Sequence, residues 1–193
     1  MQNPIIFVGS THSFLDDFSK QKEIINLVNP EFILSEDLEN LVLDSEKNFK
    51  DIFNKKIISQ MTSFEEVKRL IELCYKKNIK LIGMDFKNFG FNKEIQTKIK
   101  GKKKLSASEE KEVELILKKR ERKHLSKILE YTQKTSKPIL VILGCWHLRK
   151  DSYLRKKLKS YKIIAPLDSQ GEILFEPTKK RKIKYGEIIY NGN

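Results

Sequence analysis

Apolar residues along the chain fall into short blocks, separated by longer stretches in which they recur every three or four positions. The short blocks lie at residues 4–8, 31–34, 80–84, 139–143 and around Ile163 and Ile164. Their length and their content of Ile, Val and Phe predict buried strands. Helical periodicity fills the gaps. A helix over about 13–27 places Phe14, Phe18, Ile25 and Val28 near one face, with Asn29-Pro30 as its stop. A second helical region over about 39–61 has Leu41, Val42, Phe49, Ile52, Phe53 and Ile57 as its stripe. Ser63 and Glu66 form a capping box for a helix carrying Val67, Leu70, Ile71 and Cys74, and Asn78 ends it. Ser106 or Ser108 caps a long helix over about 109–133, with Val113, Leu117, Leu125, Ile128 and Leu129 facing the core. A short helix near 152–160 buries Leu154 and Leu158, Pro166 ends the following strand, and 171–175 and 187–190 read as late strands, a hairpin or an edge pair. This alternation predicts an α/β fold: a single compact domain over 1–193 with a largely parallel central sheet flanked by helices. Residues 87–108 break the pattern, first turn-rich and then lysine-rich, and are expected to form a basic insertion or mobile segment over the site.

In parallel sheets, sites form at the carboxyl ends of the strands. His12, Glu36, Asp85 and His147 each follow a different apolar block, so a parallel sheet gathers all four along one edge. Two of them share a local figure, Gly9-Ser10-Thr11-His12 and Gly144-Cys145-Trp146-His147. With 8 glycines and 3 histidines in 193 residues, chance supplies roughly 0.1 Gly-x-x-His pairs. Finding two, both directly after strands, marks a site. Two imidazoles with one or two carboxylates suit a divalent cation that keeps a position open for water. The same residues also suit metal-free acid–base chemistry, with Glu36 as base and a histidine as acid.

Each residue has a plainer role open to it. His12 can open a helix and His147 can be a satisfied core histidine. Glu36 and Asp37 can cap the segment that follows, and Asp85 alone is commonly a turn residue. Trp146, the one tryptophan, walls a pocket or packs. Cys145 beside His147 is weak as a nucleophile, because neighbouring residues on a turn point apart. His124 sits mid-helix among Arg120, Arg122 and Lys123 and is expected at the surface.

Composition narrows the functional classes. The chain is 39% hydrophobic and 34% charged, a globular balance with no apolar run of the ~20 residues that span a bilayer. No secretory leader is recognisable, so a cytoplasmic location is expected. Cys74 and Cys145 make neither a disulfide framework nor a CxxC metal pair. The net charge of +13 comes from lysine, which crowds at 98–104 and 179–184. Such clusters attract phosphate backbones, but neither shows the arginine enrichment or the aromatic platform of dedicated nucleic-acid sites. Weak nucleic-acid contact through them is the competing expectation.

As an ordered set, the two GxxH motifs, Glu36 in Asn29-Pro30-Glu31-Phe32-Ile33-Leu34-Ser35-Glu36, and Glu121-Arg122 before the second motif resemble the TraB/PrgY superfamily. That superfamily includes Tiki proteases and GumN-like proteins and, more distantly, erythromycin esterase and ChaN-like proteins. The similarity spans about residues 4–165, and Leu148 fits the family's frequent His-Leu pairing. The resemblance implies a compact α/β domain acting as a divalent-metal-dependent hydrolase of peptide or ester bonds. His12, His147 and Glu36 would hold Mn, Co or Zn, and Arg122, with Arg120 as second choice, would orient a carboxylate or an oxyanion. The chain departs from the family in the bulky Cys-Trp of its second motif and in lacking a membrane-spanning tail. The alternative is a non-catalytic regulatory or nucleic-acid-binding protein that uses its lysine-rich surface.

Overall fold

The computed structural model describes residues 4–11, 17–53, 64–175 and 184–191. Its strands are β1 (Ile5–Ser10), β2 (Phe32–Ser35), β3 (Val42–Leu43), β4 (Lys80–Gly83), β5 (Ile139–Gly144), β6 (Ser160–Leu167) and β7 (Lys184–Asn191). They form one sheet in the order β3-β4-β2-β5-β1-β6-β7. The five inner strands are parallel, and β3 and β7 are antiparallel edges. The helices among the described residues are α1 (Asp17–Val28), α2 (Glu46–Phe53), α3 (Phe64–Lys77), α4 (Lys93–Lys100), α5 (Ala107–Thr132) and α6 (Tyr153–Lys157). The expected fold class is therefore the one observed.

Strand alternation divides the core in two. Phe32 and Leu34 of β2, with Ile139, Val141 and Leu143 of β5, pack beneath Ile128 and Tyr131 of α5 and Leu154 of α6. Ile33, Leu140 and Ile142 point the other way, onto Ile24 and Ile25 of α1 and Val67, Leu70, Ile71 and Cys74 of α3. With both faces covered, the inner strands read as continuous apolar runs.

Several elements depart from their sequence signals. The region expected as helix over 39–61 begins instead as a turn and the edge strand β3, and only α2 within it is helical among the described residues. Ser63 of the expected capping box lies outside the described residues, as do Phe14 and residues 176–183. Pro166 does not end β6. The strand runs on to Leu167, paired with β7, because β1 pairs only as far as Ile164 and Pro166 owes that neighbour no N–H. Residues 171–175 contribute a single bridge, Leu167 to Ile173, so β7 pairs with β6 and not with them. Leu129, expected in the core, is exposed.

The segment 87–108 carries α4 and a third small core. Phe89, Phe91 and Ile95 are buried there against Val113, Ile116 and Leu117 of α5. Asn92 caps α4 and Ser106 caps α5 through a full capping box with Glu109. Lys98 of the basic cluster is tied to Glu94 and Glu109, at 3.1 and 2.5 Å.

The register sets the site. Ser10 pairs with Gly144, and Ser35 with both Gly83 and Ile142, so the carboxyl ends of β1, β2, β4 and β5 finish side by side. After β2 the chain folds back over the end of β4: Gly83 N–H donates to Leu41 O and Asp85 N–H to Glu39 O, at 2.6 and 2.7 Å. A Cβ on Gly83 would stand 2.5 Å from the Glu39 carbonyl oxygen, so only glycine fits there.

Candidate metal centre

Glu36 opens the turn after β2 and is 3% exposed. Its Oε1 accepts the Gly144 N–H at 2.6 Å, which locks the carboxylate to the end of β5. Its Oε2 lies 3.4 Å from His147 Nε2 and 3.4 Å from Arg120 Nη2. His147 sits in a 3₁₀ turn, Cys145–Leu148, that follows β5 directly.

The second histidine of the cluster is His124. Expected at the surface, it is fully buried on the inner side of α5. Its ring centroid is 5.1 Å from that of His147, edge to face. One nitrogen from each ring and one Glu36 oxygen lie within 4.8 Å of one another, so Glu36, His124 and His147 form a buried cluster that can hold a metal ion.

Both histidines are oriented by a buried carboxylate. His124 Nε2 is 3.0 Å from Asp85 Oδ2, and His147 Nδ1 is 3.4 Å from Glu121 Oε1. An ionised carboxylate only accepts, so each pairing puts the ring proton on the nitrogen facing the acid. Among the described residues His124 Nδ1 is left buried with no partner, an orphan acceptor of the kind that calls for an explanation. This is the carboxylate–histidine arrangement that surrounds bound metals. Ligands on bonds of about 2.05 Å at tetrahedral angles stand roughly 3.4 Å apart, which matches the His147 to Glu36 separation.

Charges around the cluster are balanced by two arginines. Arg120 reaches Asp85 through Nε at 2.8 Å and Nη2 at 2.6 Å, and its guanidinium stacks on Phe89 at 4.8 Å. Arg149 donates to Glu121 at 2.6 Å, as does Tyr153 N–H at 2.9 Å. Burial raises the Asp85 carboxyl, but the bonds and charge of His124 and Arg120 outweigh it and hold it below the usual range. Glu121 behaves likewise: burial opposes ionisation, but His147, the Tyr153 N–H and Arg149 bring it down to about 2. Desolvation lowers His124, which favours the neutral ring a metal requires. Arg120, although desolvated, is held protonated by Glu36 and Asp85.

A cavity of about 430 Å³ opens above the cluster. Ser10, Thr11, Glu36, Asp37, Arg120 and His147 supply its polar side, and Phe89, Phe91, Leu117, Trp146 and Phe175 its apolar walls. Trp146 both walls the cavity and stays 41% exposed. Cys145 is buried beneath Gly9, and burial first of all pushes its thiol up to about 12, so it is no nucleophile.

Of the residues singled out in the sequence, Glu36, Asp85 and His147 meet here. His12 lies outside the described residues, although Ser10 and Thr11 just before it line the cavity. Arg122 faces away, 5.8 Å over the Tyr153 ring, and Arg120 stands at the site in its place. The signal for this was present. Arg120, His124, Ile128 and Tyr131 follow one helical face, and reading the inward stripe of α5 through its polar members finds His124, which was missed, and favours Arg120, the second choice, over Arg122. Glu121, one position round, had no sequence signal of its own.

No protein-family model matches the sequence, and no curated protein matches it. Among solved structures the fold is similar to that of ChaN of Campylobacter jejuni, a structure described as showing cofacial heme binding. The two are 14% identical with a TM-score of 0.52, over 98% of this chain and 89% of that one. At that identity the likeness is one of fold.

Proposed function

We propose that the chain is a divalent-metal-dependent hydrolase of peptide or ester bonds, its cation held by Glu36, His124 and His147. The carrying observation is the pairing of each histidine with a buried carboxylate, which leaves His124 Nδ1 unpartnered and His147 Nε2 beside Glu36. Nitrogen and carboxylate donors suit Zn, Co and Mn. A bound ion at such a site polarises a carbonyl and acidifies its water.

The chain's own residues do the rest. Gly144 N–H fixes one Glu36 oxygen and so aims the other inward. Arg120, held by Asp85 and stacked on Phe89, presents a guanidinium on the cavity wall, where an oxyanion develops during acyl transfer. Asp37, also on that wall, is the carboxylate placed to accept a proton. Phe89, Phe91 and Trp146 exclude water from the reacting bond.

A second reading is haem binding, favoured by the aromatic walls beside His147 and by what is stated of the Campylobacter protein. One set of measurements separates the two. Metal content and titration with Mn²⁺, Co²⁺ and Zn²⁺ are compared between wild type and the His124→Ala/His147→Ala double variant, followed by a peptide and ester screen of the loaded protein. Stoichiometric binding lost in the double variant, with turnover, supports the hydrolase. Binding indifferent to both histidines overturns it, and a Soret band on haem titration without metal uptake favours the second reading.

A further inference from the structure

A second cavity of about 430 Å³ adjoins the first, and Trp146 and Leu117 wall both. Its floor is Tyr153, and four cations reach it: Lys118, Arg122, Arg149 and Lys156. Two of these are committed. Lys118 pairs with Glu114 at 2.7 Å, and Arg149 pairs with Glu121 and Asp151 at 2.6 and 3.2 Å while stacking 3.6 Å over Trp146. Those pairs account for every acid on the cavity wall. Among the described residues, Arg122 and Lys156 have no carboxylate within salt-bridge distance, and Arg122 stands over the ring of Tyr153. The cavity thus offers two uncommitted cations above an aromatic floor, one residue's width from the metal cluster.

We infer that this cavity is a recognition subsite for an anionic group, a carboxylate or a phosphate, so that the proposed hydrolase acts on acidic substrates. The substrate half of the inference rests on the hydrolase reading, and the anion site does not. Position supports the pairing of the two cavities. Glu121 lies on the wall of the second cavity and at the same time orients His147 in the first. A substrate spanning Trp146 would place its acidic end on Arg122 and Lys156 and its scissile bond beside Glu36. Arginine suits the role because its planar fork engages either oxyanion through two parallel hydrogen bonds.

Because Trp146 is the one tryptophan of the chain and walls both cavities, its fluorescence reports on the two together, and the variant below assigns the signal to the second. The full chain, freed of metal on a chelating resin, is titrated with inorganic phosphate and separately with glutarate at constant chloride. A saturable change is expected, and the tighter of the two probes names the class of anion. The Arg122→Gln/Lys156→Gln variant alters only exposed side chains and should weaken binding by roughly tenfold or more, the scale of one charge-assisted hydrogen bond. Its metal uptake should match wild type. No saturable change, or equal binding by the variant, overturns the anion site. Saturable anion binding in a protein that takes up no metal upholds the anion site but overturns the assignment to a substrate.

Discussion

Asp85 ties three parts of the site together, accepting from Arg120, from His124 and from the Phe86 N–H. Asp85→Asn keeps the shape but presents an amide where a proton acceptor is needed, and frees both partners. Metal affinity should fall about 10- to 100-fold, measured by competition with a chromophoric chelator, while the fold survives by circular dichroism. Glu121 makes a prediction in pH. Its folded carboxyl is lowered from 4.5 to about 2, so its stabilising effect is complete above 4.5 and is lost as pH falls toward 2. His124, lowered by burial from 6.5, acts in the same direction below 6.5, where the unfolded ring binds a proton that the folded ring resists. Denaturation midpoints across pH should decline with acid, and Glu121→Gln should flatten the decline below 4.5. At this scale the sequence was half legible. Glu36 and His147 stand at strand ends, where position alone marks them. His124 is hidden inside a lysine-rich helix, where charge reads as solvent unless the inward face is followed one turn at a time, and Arg120 stood there only as second choice to Arg122.

Among elements, the closest fit is between β4 and the turn after β2. Gly83→Ala would drive a methyl into the Glu39 carbonyl, and backbone there cannot rotate away. A loss of about 1–3 kcal/mol or more in chemical denaturation is expected, together with weaker metal binding, because the same turn carries Glu36. Ile95, 1% exposed in the small core of α4, tests a different link. Ile95→Ala should cost about 2 kcal/mol or more and loosen Phe89 beneath Arg120. Activity should suffer more than metal affinity, read as separate changes in turnover and in chelator competition. The lysines of 87–108 concealed this element in the sequence. Its apolar residues number too few to announce a core, and the partners that complete it belong to α5. Edge strands were equally hard to read, since β3 is two residues long and sits inside what reads as helical periodicity.

For the whole molecule, a ligand that binds only the folded state raises stability by mass action. At free metal about 100 times the dissociation constant, the gain should be about 2.7 kcal/mol, visible as a rise in melting temperature that the His124→Ala/His147→Ala variant does not show. The competing expectation of nucleic-acid contact is tested by salt. Oligonucleotide binding, if it is the function, should fall steeply with ionic strength and be untouched by that double variant. The α/β architecture was legible from periodicity alone, because buried parallel strands have few other ways to read. The strand order was not, since it depends on which apolar run pairs with which.

That order sets when the site can exist during synthesis. β1 leaves the ribosome first, yet its neighbours on both sides are β5 and β6, more than 130 residues later in the register. Until then the first strand has no edge to join, while β2 and β4 can already pair around α3. The last closure is the insertion of the oldest segment between the two youngest inner strands. Folding of this kind is slow, because long loops must close before their contacts count, and the nascent chain keeps Ile5 to Val8 as an exposed apolar edge for most of its synthesis. A chain stopped before β5 therefore carries Glu36, Asp85 and His124 but lacks both His147 and β1's partner.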